Sequence, residues 1–297
     1  MLREIARAGS YSAAARSLGY TQPAVSQQMR ALERAVGTPL TVKAGRKVVF
    51  TDAGRELLRH AEVVLRDIAA AETSLAAIAG RRAGRVRLVV FPSGSATLVP
   101  PAAAEVRRRH PEIALSLTEA EPPESIDLVR AGECDIALAF DYPDTAEETN
   151  GLLRLPLLSD PLIALLPAEH ALAARPAVRL TELADEPWIG GCPRCQEYLF
   201  TACSAEGFTP DLAFATDDNL AVQSLVAAGL GVAVIPQLLL AAARHADLAT
   251  RPVEPEMRRA ISAFIWPELS RVPTIRVVLD ALGEAARSPR TDPLPAG

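Results

Sequence analysis

Cys192-Pro193-Arg194-Cys195 is the stretch of this 297-residue chain best equipped for covalent chemistry. A CxxC pair at a helix start, with an arginine beside it, is placed for a lowered thiol pKa and a reversible disulfide. Cys203 follows later; on a continuous helix it would sit ~12 Å along the axis from Cys195, too far to share a tetrahedral zinc site. No metal or cofactor is expected. Small, chemically idle buried thiols are the plainer reading of the same residues.

A second set of residues suits non-covalent binding. The free N–H groups of a helix start hold anions. Ser93, Gly94, Ser95 and Thr97 form a polar loop that opens a helix after a β-branched run. Thr118 and Glu119 end a strand, and Asp217, Asp218 and Asn219 open another helix. These are candidate contacts for a small ligand, with a carboxylate as the expected class, although Glu119 would favour a cation. Plain capping is the stronger reading for Asp217 to Asn219. The chain contains no G-x-S-x-G, no G-x-G-x-x-G after a strand and no H-E-x-x-H, so it lacks the usual hydrolase, dinucleotide and zinc-protease signatures. A CxxC oxidoreductase is the best enzymatic alternative, and a solute-binding receptor is another rival. Both leave the first 54 residues without a purpose.

The elements that must position these groups fall into distinct parts. Residues 1–59 hold ten Lys and Arg against four Asp and Glu, a balance of +6 that leaves −11 for the rest of a chain of net charge −5. A basic head on an acidic body suits a nucleic-acid-binding module joined to something with another task. Four cysteines are too few for a disulfide scaffold of this length, which implies a reducing cytoplasm. No apolar run approaches membrane-spanning length and no signal sequence opens the chain, so no membrane association is expected.

Within the head, Gly9 and Gly19 end two short helices, with Ser10 or Ser12 as cap of the second. Thr21 can cap a third helix that carries Pro23 in its first turn. Val25, Met29, Leu32 and Val36 form the inner face of that helix, which leaves Gln22, Ser26, Gln27, Arg30 and Arg34 on outer or flanking faces. Gln reads adenine, Arg reads guanine and Ser holds phosphate in a major groove. The stretch from Thr38 to Phe50 predicts a hairpin wing with Arg46 and Lys47 at its basic tip.

These motifs are specific. GSYSAAARSLGYTQPAVSQQMRALERAVGTPL, followed by TDAG at Thr51 to Gly54, resembles the winged helix-turn-helix of LysR-type transcriptional regulators. The resemblance implies DNA contacts at Gln22, Pro23 and Ser26 and a flanking contact at Arg30. Two departures stand out. The family's aromatic and arginine at the wing base are here Thr41 and Lys43, which predicts looser packing, and the first helix is about half the family's length, which predicts a start further upstream.

Leu57, Ala61, Val64, Ile68, Ala71, Leu75 and Ile78 alternate spacings of four and three. This is the a/d seam of a two-helix coiled coil and predicts a dimerisation helix, 55–84 with its hinge. From Arg85 strands and helices alternate, which predicts parallel strands with right-handed crossovers. GECDIALAF at Gly132 to Phe140 and LVAAGLGVAVIP at Leu225 to Pro236 resemble the family's effector domain, which implies the two-lobed α/β fold of periplasmic binding proteins. The expected plan is a winged head (1–54), the linker helix, and a body (85–290) with lobe 1 at about 85–160 and 267–290 and lobe 2 at about 161–266. The family implies double-stranded DNA, a small-molecule effector and a homodimer or homotetramer as partners.

Overall fold

The structure is a computed structural model; it describes all residues except 45–46, 79–83, 144–148, 150 and 288–297. Two compact units divide it, Met1–Leu75 and Ala76–Gly297.

In the head, α1 (Leu2–Ala8), α2 (Tyr11–Leu18) and α3 (Gln22–Val36) are each closed by a glycine in the left-handed conformation: Gly9, Gly19 and Gly37. Ser10 caps α2 by accepting from the Ala13 N–H, whereas the Thr21 side chain makes no capping bond to α3. Ile5, Ala14, Val25, Met29 and Leu40 are fully buried together. Val36, predicted for the inner face, is exposed, because the apolar stripe of α3 runs out one turn before the helix does. The wing is the antiparallel pair β1 (Thr41–Ala44) and β2 (Lys47–Phe50). Where looser packing was expected, Thr41 makes hydrogen bonds instead. Its hydroxyl meets Tyr11 Oη at 2.7 Å and Glu33 Oε1 at 3.2 Å, and Glu33 also accepts the Leu40 and Thr41 N–H groups.

Helix α4 (Asp52–Ile78) begins with Thr51, whose hydroxyl accepts the Gly54 N–H and donates to Pro39 O. Gly54 is required there: a Cβ would lie 2.0 Å from the Leu40 carbonyl oxygen. Leu57 and Leu58 pack on the head core, while Val64, Leu65 and Ile68 are exposed along the next turns. The Ala71, Leu75 and Ile78 side chains and the hinge at 79–83 lie outside the described residues.

The body is a two-lobed α/β unit. Strand β3 (Arg85–Val90) is followed by α5 (Pro92–Thr97), α6 (Val99–Arg109), β4 (Ala114–Glu119), α7 (Glu124–Arg130) and β5 (Ile136–Asp141). Strands β4, β3 and β5 are parallel neighbours. Every residue of β5 is buried, because α6 and α10 cover one sheet face and α7 the other. Next come β6 (Leu153–Pro167), β7 (Val178–Arg179), β8 (Pro187–Gly190), α8 (Pro193–Ala205), β9 (Asp211–Ala215), α9 (Asn219–Ala227), β10 (Ala233–Pro236), β11 (Leu248–Glu254), β12 (Arg258–Ile265) and α10 (Pro273–Arg287).

The sheet is not all parallel, as alternation alone suggested. Strand β12 runs antiparallel to both β5 and β6. The first part of β6 pairs with β12, which therefore joins lobe 1 and not lobe 2 as its place in the chain suggested, and the last residues of β6 pair with β10 and β11 in lobe 2. One strand therefore belongs to both lobes. The segment expected as a loop at Phe91 to Thr97 is instead the short helix α5, seated so closely that a Cβ on Gly94 would lie 2.9 Å from Val90 and Phe91 atoms.

Candidate functional site

Two surfaces carry the chemistry. On the head, α3 presents Gln22, Pro23, Gln27 and Arg30 to solvent and keeps Ser26 half-buried. Gln22 Nε2 donates to Ser26 Oγ at 2.7 Å, one helical turn on, which steadies the amide along that face. Arg46 lies outside the described residues, as does the Lys47 side chain.

In the body, the elements converge where β5 and α5 of lobe 1 face α8 of lobe 2. At the centre is a cross-strand ion pair: Arg259 of β12 lies opposite Asp160 of β6, both 2% exposed, with Nη2 2.8 Å from Oδ2. Asp160 Oδ1 accepts the Leu238 N–H at 2.9 Å. Arg259 donates to Ser93 Oγ at 2.9 Å, and its guanidinium lies over the Phe91 and Phe140 rings, 5.0 and 4.7 Å from their centroids. Burial pushes the Asp160 carboxyl up, and Arg259 opposes that. A charge this deep persists only because every one of these partners is present.

Beside it lies the thiol pair. Cys192 is the N-cap of α8, and its sulfur accepts the Cys195 N–H at 3.4 Å. Cys192, the neighbouring Tyr142 hydroxyl and the Arg259 charge hold the Cys195 thiol down at about 6 against its burial. The shared hydrogen bond with Cys195, then burial, drive Cys192 the other way. Tyr142 stacks on Tyr198 of α8, centroids 4.1 Å apart and planes 11° from parallel, so one ring of each lobe meets the other there. Arg194 is not the activating charge that spacing suggested. It turns to Asp141, 3.4 Å away, because that buried carboxylate at the end of β5 draws it across to lobe 1. Cys203 is fully buried and pushed up to about 11 by that burial, a packing thiol.

The depressed Cys195 thiol has a consequence for stability. Folded, it loses its proton near pH 6; unfolded, near its ordinary 9. Its contribution is full above about pH 9 and is lost as pH falls through about 6. The stability of the wild type relative to Cys195→Ser is therefore expected to rise from pH 6 to 9 in urea titrations under reducing conditions. Parallel curves would show an ordinary thiol.

Of the remaining predicted contacts, Ser95 and Glu119 meet, and the others are dispersed. Ser95 Oγ donates to Glu119 of β4, and Thr97 Oγ1 donates to Ser93 O at 2.6 Å within α5. Thr118 and Glu119 are exposed at the end of β4. Asp218 caps α9 through the Leu220 and Ala221 N–H groups, which leaves Asp217 and Asn219 at its mouth. Glu121, absent from the sequence reading, reaches into the cleft, and its Oε2 is buried without a hydrogen-bond partner among the described residues. Burial, then the charge of Cys195, push its carboxyl up to about 7. Tyr142, Asp160 and Arg259 were also missed; in sequence they read as core or ordinary surface charge. No cluster of three or more His, Cys, Asp or Glu suited to a metal occurs among the described residues.

A winged helix-turn-helix followed by a two-lobed α/β body defines a DNA-binding protein with a separate ligand-binding part. Residues 1–55 match the bacterial regulatory helix-turn-helix protein, lysR family, and residues 79–287 match the LysR substrate binding domain. The chain belongs to the LysR family of DNA-binding transcription regulators, which are not enzymes. It is 34% identical to a probable hydrogen peroxide-inducible genes activator of Mycobacterium avium over 78% of this chain and 75% of that one. It is 28% identical to the RuBisCO operon transcriptional regulator of Allochromatium vinosum over 87% of this chain and 81% of that one. A full-length, singly substituted OxyR from Pseudomonas aeruginosa shares the fold, with a TM-score of 0.67, 22% identity and coverage of 99% of this chain and 97% of that one. So does CbnR complexed with its target DNA, with a TM-score of 0.55, 21% identity and coverage of 96% and 97%.

Proposed function

We propose that this regulator works in the cytoplasm as a dimer or tetramer held by α4, reads a paired operator through α3 and the wing, and is switched by a small molecule in the cleft between the body lobes. The exposed polar face of α3 on an otherwise well-buried head carries the reading; its contacts would be Gln22, Pro23, Ser26, Gln27 and Arg30, with Arg46 and Lys47 from the wing. The exposed Val64, Leu65 and Ile68 supply the dimer seam. A ligand that favours one lobe arrangement would re-space the two heads and change the DNA bend. No helix among the described residues is long and apolar enough to cross a membrane, which fits that location.

The test is binding to the region upstream of its own or a neighbouring divergent gene, with affinity falling steeply as salt rises. Ile68→Glu, which puts a charge in the seam, should yield monomers by sedimentation and lose paired half-site protection in footprints. Absence of binding at low salt by the unsubstituted protein would overturn the reading.

A second reading, sensing through thiols, has its own observation: the hydrogen-bonded Cys192–Cys195 pair. The charges of the cleft also suit it. Arg259 is already held by Asp160 and Ser93, while Glu121 is acidic and its Oε2 has no hydrogen-bond partner among the described residues, so a carboxylate ligand finds little there. Relatives named as peroxide-inducible activators add weight to it.

A further inference from the structure

The thiol reading leaves one proton unaccounted for. Cys195 is primed to attack, but Cys192, needed to close a disulfide, keeps its proton: it donates that hydrogen to Cys195 and is buried. A closing step must move this proton to an acceptor, and a group already inside the cleft is best placed to take it, because Cys192 itself is buried. Glu121 is such a group. Its Oε2 is buried with no donor bound to it among the described residues, and its charge is felt by Cys192. The groups that face it are Cys195 and Arg194 of α8, Arg259 of β12 and Asp217 before α9.

We propose that Cys192 and Cys195 form a dithiol–disulfide site for small disulfides, with Cys195 as the attacking sulfur, Cys192 as the resolving sulfur and Glu121 as the acceptor of the Cys192 proton. This rests on the thiol reading above. The Cys195 thiolate attacks one sulfur of R–S–S–R; a Cys195–S–S–R bond forms, the R–S–S–R bond breaks, and RS⁻ leaves and takes a proton from solvent. The Glu121 carboxylate then takes the proton of Cys192. The Cys192 sulfur attacks the Cys195 sulfur, and the second RS⁻ leaves with the proton returned by Glu121. The two thiols lose two electrons in all, the small disulfide gains them, and two RSH are released. A carboxyl that titrates near neutrality suits both halves of this relay, and a thiol with a pKa close to ambient pH suits the attack. Closure also removes the negative sulfur whose charge the Tyr142 hydroxyl and the Arg259 guanidinium of lobe 1 stabilise, so the oxidation state reaches both lobes.

The experiment treats the reduced full-length protein with 2-hydroxyethyl disulfide and follows intact mass and free thiols with time. The wild type should lose the Cys192 and Cys195 thiols without a lasting adduct, Cys192→Ser should keep the adduct on Cys195, and Cys195→Ser should react slowly. Glu121→Gln should form the adduct at the wild-type rate but close it on the order of ten-fold or more slowly. The pH inflection of closure should vanish in that variant and return in part with Glu121→Asp, which a merely structural role would not produce. A wild type that forms neither adduct nor disulfide would overturn the thiol site itself. Disulfide closure in Glu121→Gln with the wild-type rate and pH profile would overturn the role of Glu121 alone.

Discussion

Asp160→Ala is expected to destabilise the body by about 3–5 kcal/mol, the usual cost of leaving one partner of a buried ion pair uncompensated. Three losses coincide in that variant. The Arg259 guanidinium loses its carboxylate contact at Nε, the Leu238 N–H loses its acceptor, and a cavity opens between β6 and β12. The Phe91 and Phe140 faces still attract the cation but cannot replace a carboxylate. Asp160→Leu with Arg259→Met should cost less than Asp160→Ala alone, because it removes both charges and leaves only the Leu238 N–H and Ser93 unsatisfied. Both tryptophans, Trp188 and Trp266, belong to the body, so their fluorescence in urea isolates its unfolding. An Asp160→Ala midpoint indistinguishable from the wild type would mean the pair is solvated in solution.

Gln22→Ala and Arg30→Ala should each weaken operator binding on the order of 1–3 kcal/mol if the residue reads a base in bidentate fashion. The salt dependence separates the two roles open to Arg30. A base-reading Arg30 would relax preference at one operator position, whereas a phosphate-binding Arg30 would weaken all sequences alike and lower the salt slope by about one. Gln22 is uncharged and should leave the slope unchanged. Anisotropy titrations on operator and scrambled duplexes at several salt concentrations give both quantities. Wild-type affinity in both variants would remove the exposed face of α3 from the contact surface.

Much of the head was legible because its signals are local. The Gly9 and Gly19 stops and the Ser10 cap each lie within a few residues of the element they define. The cleft was not, because its bonds join distant parts of the chain: Ser93 and Arg259 are 166 residues apart, and Asp160 and Arg259 are 99 apart. Cys192 and Cys195 announced themselves by spacing, but the identity of the activating groups depends on which lobe α8 faces. Arg194, adjacent in sequence, went to Asp141, and Tyr142, some fifty residues away in the chain, acts on the Cys195 thiol. The segment before Thr97 looked like a loop because Pro, Ser and Gly dominate it; tight packing of Gly94 on Phe91 makes it helical instead.

The double membership of β6 limits how proteins of this kind can be recombined. A chimera that exchanges one body lobe with a relative must cut β6 in mid-strand, at the place where Asp160 answers to Arg259, and must restore β12 in the same register. A chimera that exchanges heads interrupts the chain only once. New operator specificities are therefore the easily traded part of such a regulator, while the two lobes are inherited as a single piece.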